Sequence, residues 1–144
     1  MVSINGFMRE TQLGRHTISV HILLHNTIFI QSILFNAQAW SNMTERNMEK
    51  ITSVQLKFLK KIMGVKQATT NSFTYLEMGV MPIKYEIHKK QLSFLHHIIH
   101  LSEDDLVQKL WKYQASLPDY SNWWSGVKKL MTKYTIGMSE EEIK

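Results

Sequence analysis

The sequence predicts an all-α fold, and three features of the chain support that prediction. Long stretches place apolar residues three and four positions apart, which is the spacing of one face of an α-helix. Glycine and proline are sparse, and those present fall where helices would begin or end. No linker, low-complexity tract or internal repeat divides the 144 residues. We therefore expect one compact domain, residues 1–144, of about five to six helices.

The first predicted helix covers about residues 17–39 and is apolar on nearly every side. Such a helix is normally covered on several sides by the rest of a protein. His21, His25 and Gln31 interrupt its apolar run, so its polar breaks are too frequent for a membrane span of about 20 apolar residues. The sequence thus predicts a buried segment and no membrane association.

The second predicted helix runs from Glu45 to Met63, with Asn42 and Glu45 spaced as a capping box and Gly64 as a left-handed stop. Its apolar face consists of Met48, Ile51, Gln55, Phe58, Leu59 and Ile62. The side away from that face carries the cations Arg46, Lys50, Lys57 and Lys61. This basic edge is the strongest functional candidate in the chain.

Four more helices are predicted after it. They cover about residues 71–79 with Asn71 as the cap, 83–101 after Pro82, a stretch that Ser102 and Asp105 start and Pro118 ends, and a last helix from about Trp123 to Tyr134. The predicted buried face of the third of these is Leu106, Val107, Leu110, Trp111 and Gln114. Ser139 and Glu142 are spaced as one more capping box near the end of the chain, which suggests a helix that is cut short.

The overall charge fits a polyanionic partner without requiring one. Seventeen Lys and Arg against twelve Asp and Glu give a net charge of +5. The chain has no cysteine, which excludes disulfides, thiolate catalysis and cysteine-bound zinc. It shows no secretory signal. These features are compatible with an intracellular protein, in either the nucleus or the cytoplasm.

The polar clusters point to structural roles more than to chemistry. His96 and His100 stand four residues apart, a spacing that can supply two metal ligands, but no third ligand is identifiable. We therefore expect surface histidines and no metal. His88, on the apolar side, is expected to be a hydrogen-bonded core residue. Asp104 and Asp105 are explained as acidic residues at a helix start, where they complement the helix dipole.

Two interpretations of the basic edge remain open on the residues alone. Lysines along one helix edge are often a solvated face, but they can also follow a phosphate backbone. The C-terminal aromatics Trp111, Tyr113, Trp123 and Trp124 lie among lysines and are expected to be core anchors, although such aromatics can also stack on bases. No catalytic grouping or phosphate-binding loop is visible, so we expect no cofactor and no enzyme activity.

The order of several motifs resembles the region after the palm in reverse transcriptases of non-LTR (LINE-like) retrotransposons. The first is "LFNAQAW", and the second is "VQLKFLKKIMGV", with a Gln-containing helix and a glycine stop. "LEMGVMPI" after Asn71 and "HKKQLSFLHHI" follow in the same order. The resemblance covers about residues 14–124. It departs from the family at Gln38, where an acidic residue is common, and at Thr70, where proline often stands.

The resemblance implies a fragment of a larger transposable-element polymerase, namely the thumb and the helical segment that follows it. These would hold an RNA–DNA hybrid, or another nucleic acid, against a palm domain absent from this chain. The aromatic–x–Asp–Asp motif of an RNA-directed DNA polymerase is missing. In this interpretation the phosphate-facing residues are Arg46, Lys50, Lys57, Lys60 and Lys61.

Two other function classes fit the same residues. The chain could be the inert remnant of a truncated element, whose exposed apolar surface would make it unstable or prone to associate. It could also be a helical protein-interaction module anchored by its C-terminal tryptophans. Binding to a protein partner would be insensitive to salt, whereas binding to nucleic acid would weaken steeply with salt.

Overall fold

A computed structural model describes residues 18–40, 43–118 and 122–134, and within these ranges the regular structure is helical with no strand. The predicted all-α fold is thereby confirmed. The chain divides into two compact units. Unit 1 contains the described residues 18–35 and 49–83, and unit 2 contains 36–48 and 84–134 except those outside the described ranges. The prediction of one domain over residues 1–144 stays a prediction.

The first helical segment is not the single regular helix that the sequence predicts. Helix α1 covers Ile18–Leu24, a π-helical turn covers His25–Ile30, and helix α2 covers Gln31–Leu34. Asn36 is left-handed with φ 57°, and a short 3₁₀ turn, Ala37–Ala39, follows it. The expected helix to Ala39 therefore ends early, because Asn tolerates the left-handed region that stops a helix. Thr17 lies outside the described residues.

Helix α3, Glu45–Met63, has the predicted bounds. Its predicted cap residue Asn42 lies outside the described residues, and Thr44 Oγ1 accepts a hydrogen bond from Asn47 N at 3.3 Å. At the other end Gly64 is left-handed, φ 69°. The N–H of Gly64 donates to Lys61 O and that of Val65 to Lys60 O, the paired bonds of a Schellman motif. The glycine stop predicted from the sequence is confirmed.

Helices α4 and α5 follow closely. Helix α4, Asn71–Met78, ends at the left-handed Gly79, as predicted, and helix α5 covers Ile83–Ile99 directly after Pro82. The cap of α4 was predicted wrongly. The capping position is Thr70, whose side chain makes no capping bond, and Asn71 is the first helical residue. The Asn71 side chain instead accepts a hydrogen bond from a lysine of α3.

Helices α6, Leu106–Ser116, and α7, Trp123–Lys133, complete the described chain. Asp105 Oδ1 accepts from Val107 N at 2.8 Å and thus caps α6. The aspartate lies at a helix start, as expected, but it is the cap itself, so the predicted start at Ser102 is three residues too early. Asn122 Oδ1 caps α7 in the same way. The predicted capping box at Ser139 and Glu142 lies outside the described residues.

The face that α6 buries differs from the predicted one. Leu106, Val107 and Leu110 are exposed, whereas Gln108 and Trp111 are buried. Gln108 turns inward because its amide donates to Leu101 O at 3.0 Å and, at 3.4 Å, to Ile99 O, groups at the end of α5 that the helix leaves without a partner. Leucine spacing alone does not reveal this polar requirement.

Each unit has its own apolar core. In unit 1 the buried residues Leu59, Met78 and Val80 pack with partly buried neighbours from α1, α3 and α4. In unit 2 the core is built on two perpendicular indoles, Trp111 and Trp124, with ring centroids 5.7 Å apart. The buried members of this second cluster are Leu95, Ile98, Trp111, Trp124, Val127 and Met131. Among the described helices, none is long and apolar enough to cross a bilayer.

Candidate nucleic-acid interface

Three lysines of α3 form an exposed basic face, which we call the lysine face: Lys50, Lys57 and Lys61. At 100° per residue they lie within an arc of about 40° around the helix axis. At 1.5 Å per residue they are separated by about 10 and about 6 Å along that axis. The structure thus brings together three of the five predicted binding residues on one side of unit 1.

Arg46 extends the same helix edge by one turn. It is exposed, like the three lysines, but it belongs to the part of α3 that lies in unit 2. The exposed Glu49 stands among these cations in sequence, though it points about 80–120° away from the lysine face around the axis. Glu49 therefore lies outside the arc of the lysine face.

Lys60 does not belong to this surface, and its prediction as a phosphate-facing residue is corrected. Its side chain is buried, with 4% exposure. The ammonium donates to Gln67 O at 2.7 Å, Thr69 O at 2.6 Å and Asn71 Oδ1 at 2.9 Å. These three acceptors match the three N–H groups of a lysine. Lys60 therefore fixes the loop between α3 and α4 and has no donor left for a ligand.

The opposite side of α3 is held by Gln55, a fully buried residue. Its Oε1 accepts from Ile83 N at 2.8 Å and from the Tyr75 hydroxyl at 3.2 Å. Its Nε2 donates to Met81 O at 3.1 Å and, at 3.4 Å, to His25 Nε2. All the hydrogen-bonding capacity of the amide is used. Burial also raises the pKa of Tyr75 to about 12, which keeps its hydroxyl a donor.

His25 is buried beside this amide in its neutral form. Its ring stacks on Phe29 and Phe58, with centroids 5.2 and 5.8 Å away. Burial lowers the pKa of His25, and the bond to Asn26 opposes that shift only in part. With Nε2 accepting from Gln55, Nδ1 carries the proton and donates to Asn26 Oδ1 at 2.9 Å. No sequence pattern indicates this tautomer, since only the fold brings residue 55 beside residue 25.

The other histidines take the structural roles that were expected of them. His96 and His100 are exposed, and His100 Nδ1 donates to His96 O at 2.8 Å. Within the described ranges no group of three potential ligands is arranged to hold a metal ion. His88 is buried, and its Nδ1 lies 2.7 Å from the hydroxyl oxygen of Tyr134. Burial and Lys133 lower the pKa of His88, and Glu45 opposes them.

The C-terminal tryptophans are core residues, which was the expected one of their two interpretations. Trp111 and Trp124 are buried in unit 2. Trp123 is partly buried, stacks edge-on against Phe94 and donates from its indole to Gln38 O at 2.8 Å. Two neighbouring lysines are engaged in exposed ion pairs, Lys112 with Glu103 at 2.9 Å and Lys109 with Asp104 at 3.6 Å.

Comparison with known proteins adds no assignment. No family model, curated protein or solved structure matches the chain. Any function for the lysine face therefore rests on the chemistry of the face itself and on the motif order of the sequence.

Proposed function

We propose that the lysine face of α3 binds the phosphate backbone of nucleic acid, as the thumb of a non-LTR reverse transcriptase would bind a template–primer hybrid. In this proposal the chain supplies binding and no chemistry. The exposed arc of Lys50, Lys57 and Lys61 carries the proposal, since three cations on one rigid edge match a surface of repeating negative charge. The contacts would be independent of sequence, because phosphates carry no base identity.

The surroundings of α3 support a preorganised surface. Gln55 fixes the helix from its buried side with four hydrogen bonds, and Lys60 fixes the loop at its C-terminal end with three. A face held in this way loses little conformational entropy on binding apart from that of the lysine side chains themselves. The adjacent lysines 60 and 61 thus have different roles, since Lys60 is buried and orders the loop, whereas Lys61 is exposed.

Several exposed apolar residues of unit 1 fit the second partner that the resemblance implies, a palm domain. Ile18, Leu23, Ile28 and Phe35 of the first helical segment are exposed, and Phe35 is 80% exposed. Exposed apolar groups clustered on one segment commonly mark an interaction site. In the proposal these apolar residues would be covered by the palm of a complete enzyme.

The test is a titration of a labelled RNA–DNA hybrid with the purified chain, followed by fluorescence anisotropy at several salt concentrations. Removing one lysine–phosphate contact should reduce the slope of log K against log salt by about 0.9. We therefore expect Lys57→Glu/Lys61→Glu to lower the slope by about 2 and to remove most of the affinity at low salt.

A matched control is Lys109→Glu/Lys112→Glu, which changes the net charge equally on two lysines of α6 in unit 2. It should reduce binding far less than the α3 variant does. Equal losses from both variants would mean that only total charge matters, and the lysine face would have no specific role. A folded wild-type chain that binds no hybrid at low salt would leave the remnant or the protein-interaction alternative.

One observation favours the protein-interaction alternative. Helix α6 exposes an apolar stripe at helical spacing, made of Leu106, Leu110, Tyr113 and Leu117. These residues, and not the buried tryptophans, would be its anchors. Binding to a protein through this stripe would persist at high salt and would be abolished in Leu110→Lys, a change that leaves the lysine face intact.

A further inference from the structure

Unit 2 contains a cavity of about 200 Å³ that includes neither the lysine face nor the apolar stripe of α6. It lies among the start of α3, the middle of α5 and the second half of α7. Its walls are formed by Trp40, Met43, Glu45, Met48, His88, Gln91, Gly126, Lys129, Leu130 and Lys133. All ten residues belong to the same unit, so the cavity is complete within it.

The size of the cavity restricts its ligand to about one ring system. A cavity of about 150 Å³ is enough to hold a benzene molecule. Pockets for drug-sized ligands are larger, from about 300 Å³ upward. The volume of this cavity falls between these limits. One ring system, either a single ring or two fused rings, is therefore the largest rigid group that this cavity is suited to hold.

The chemistry of the walls is that of a site for a flat, polar-edged ring. Trp40, Met43 and Leu130 supply apolar and polarizable surface, on which a ring can stack. Gln91 brings an amide to the wall from a residue that is only 2% exposed. An amide offers both donors and acceptors, which is what the edge of a nucleobase requires.

One part of the cavity wall is the backbone of a glycine, which has no side chain. Gly126 lies within α7, where glycine costs about 1 kcal/mol relative to alanine. It lines the cavity with backbone only. A buried residue that is unfavourable for the helix thus forms part of the cavity wall.

The charges that line the cavity include a cation suited to an anionic group. Lys133 pairs with Glu45 at 3.2 Å, so these two charges offset each other. Lys129, on the next turn of α7, is exposed and adds a positive charge beyond that pair. A ligand carrying a ring and one phosphate would match this arrangement of a partly open cavity beside an exposed ammonium.

We propose that this cavity binds an unpaired nucleotide, with the base enclosed between Trp40 and Leu130, the base edge on Gln91, and the phosphate on Lys129. The site goes beyond the lysine face of α3 and does not depend on it. The nucleotide could be a free mononucleotide or one residue of a single strand, since the same chemistry recognises both.

The experiment titrates the full chain with uridine and adenosine monophosphates, and separately with a short single-stranded oligonucleotide, by calorimetry and tryptophan fluorescence. We expect saturable binding with quenching of Trp40. Lys129→Gln should weaken binding about tenfold, the size of one charge-assisted hydrogen bond. The exposed control Lys109→Gln should bind like the wild type. The corresponding nucleosides, which lack the phosphate, should bind about as weakly as the nucleotides bind to Lys129→Gln.

A second variant tests the enclosed part of the site. Gly126→Ala adds a methyl group at the cavity wall and should weaken binding, while the better helix propensity of alanine should keep Tm from falling. Tighter binding of the oligonucleotide than of the mononucleotides would identify a strand as the ligand, and equal affinity would identify the free nucleotide. Either result supports the cavity site.

The outcomes that overturn the proposal are equally specific. They are absence of saturable binding by both probes, or wild-type affinity in both Lys129→Gln and Gly126→Ala. Loss of mononucleotide binding in Lys57→Glu/Lys61→Glu with no loss in Lys129→Gln would also overturn it. Conversely, a lysine face that fails to bind the hybrid leaves this site untouched, since mononucleotide binding is measured separately.

Discussion

The two units of the chain are stabilised by different kinds of interaction. Unit 1 places two polar side chains of α3, Gln55 and Lys60, in its interior and satisfies both with backbone and side-chain partners. Unit 2 relies on indole packing, with Trp111 and Trp124 buried against aliphatic residues of α5 and α7. The described core of unit 1 contains no tryptophan, and the core of unit 2 contains two.

The buried polar side chains of unit 1 hold the short connections between its helices in place. Unit 1 includes the irregular chain from Gly64 to Thr70 and from Gly79 to Pro82, whose backbone groups have few helical partners. A buried amide and a buried ammonium can bond these groups, whereas apolar residues cannot. Unit 2 packs α5, α6 and α7 around two buried indoles, where burial of apolar area stabilises the contact.

The largest effect is expected from truncating an indole in unit 2. Trp124→Ala removes a side chain that is 3% exposed and leaves a cavity between α6 and α7. Changes of this type cost about 3–5 kcal/mol. Urea unfolding followed by circular dichroism should show this loss. The exposed Tyr113→Ala on α6 is the control and should change the free energy of unfolding by less than about 1 kcal/mol. Similar losses in both would argue against the indole core.

The next largest effect is expected from removing the polar centre of unit 1. Gln55→Leu has a similar size but leaves Ile83 N–H, Met81 O and the Tyr75 hydroxyl without their partner. Each buried group left in this way costs about 1–3 kcal/mol, so a total near 3 kcal/mol is expected. The same urea measurement applies, with the exposed Gln67→Leu as the control. A stabilised Gln55→Leu variant would show that these bonds are replaced by water or by a rearranged loop.

A smaller effect separates two lysines that look alike in the sequence. Lys60→Met should destabilise the chain by about 2 kcal/mol, because two carbonyls and the Asn71 amide lose a charged donor. Lys57→Met should change stability by less than about 0.5 kcal/mol but should weaken hybrid binding. The comparison of unfolding and binding for the two variants distinguishes a structural lysine from a binding one. Equal stability of the two variants would contradict the structural role of Lys60.

The smallest effect is a dependence of stability on pH to which each unit contributes one histidine. The pKa values of His25 and His88 are lowered in the folded chain from the ordinary value of 6.5. The unfolded chain therefore takes up protons first on acidification, so stability is full above about pH 6.5 and falls as the pH drops toward the folded-state values. Urea unfolding between pH 5 and 8 should show this fall.

Variants of the two histidines assign the effect. His25→Gln and His88→Gln should each flatten part of the pH profile, whereas His97→Gln, at an exposed position of α5, should leave it unchanged. A profile that is the same in the wild type and in both buried-site variants would exclude these histidines as its cause.

Much of the helix layout could be predicted because it depends on local signals. The bounds of α3 and the glycine stops at Gly64 and Gly79 follow from spacing and capping chemistry, and so does the position of Asp105 at the start of a helix. The break in the first segment could not be predicted, since nothing in its apolar pattern distinguishes a π-turn from an α-turn. The buried face of α6 was missed because Gln108 is drawn inward by carbonyls of another helix.

The candidate site was predictable only in part for the same reason. Helical periodicity places Lys50, Lys57 and Lys61 on one edge, and the structure exposes all three. Periodicity places Lys60 about 100° from Lys61 around the helix but does not reveal that Lys60 is buried, because the path of the loop over residues 66–71 encloses its ammonium. The unit 2 cavity has no sequence signature at all, since its walls come from three separate stretches of chain.

The π-helical turn at His25–Ile30 determines how this part of the chain responds to deletion. A π-turn holds one residue more than an α-turn, so the segment contains a residue that a regular helix does not need. Loss of the exposed Thr27 would convert the turn to α-helix and would leave the helices on either side in register. Helix α3 contains no such extra residue. A deletion within it would therefore rotate Gln55 away from its partners or move Lys60 out of the loop that it orders.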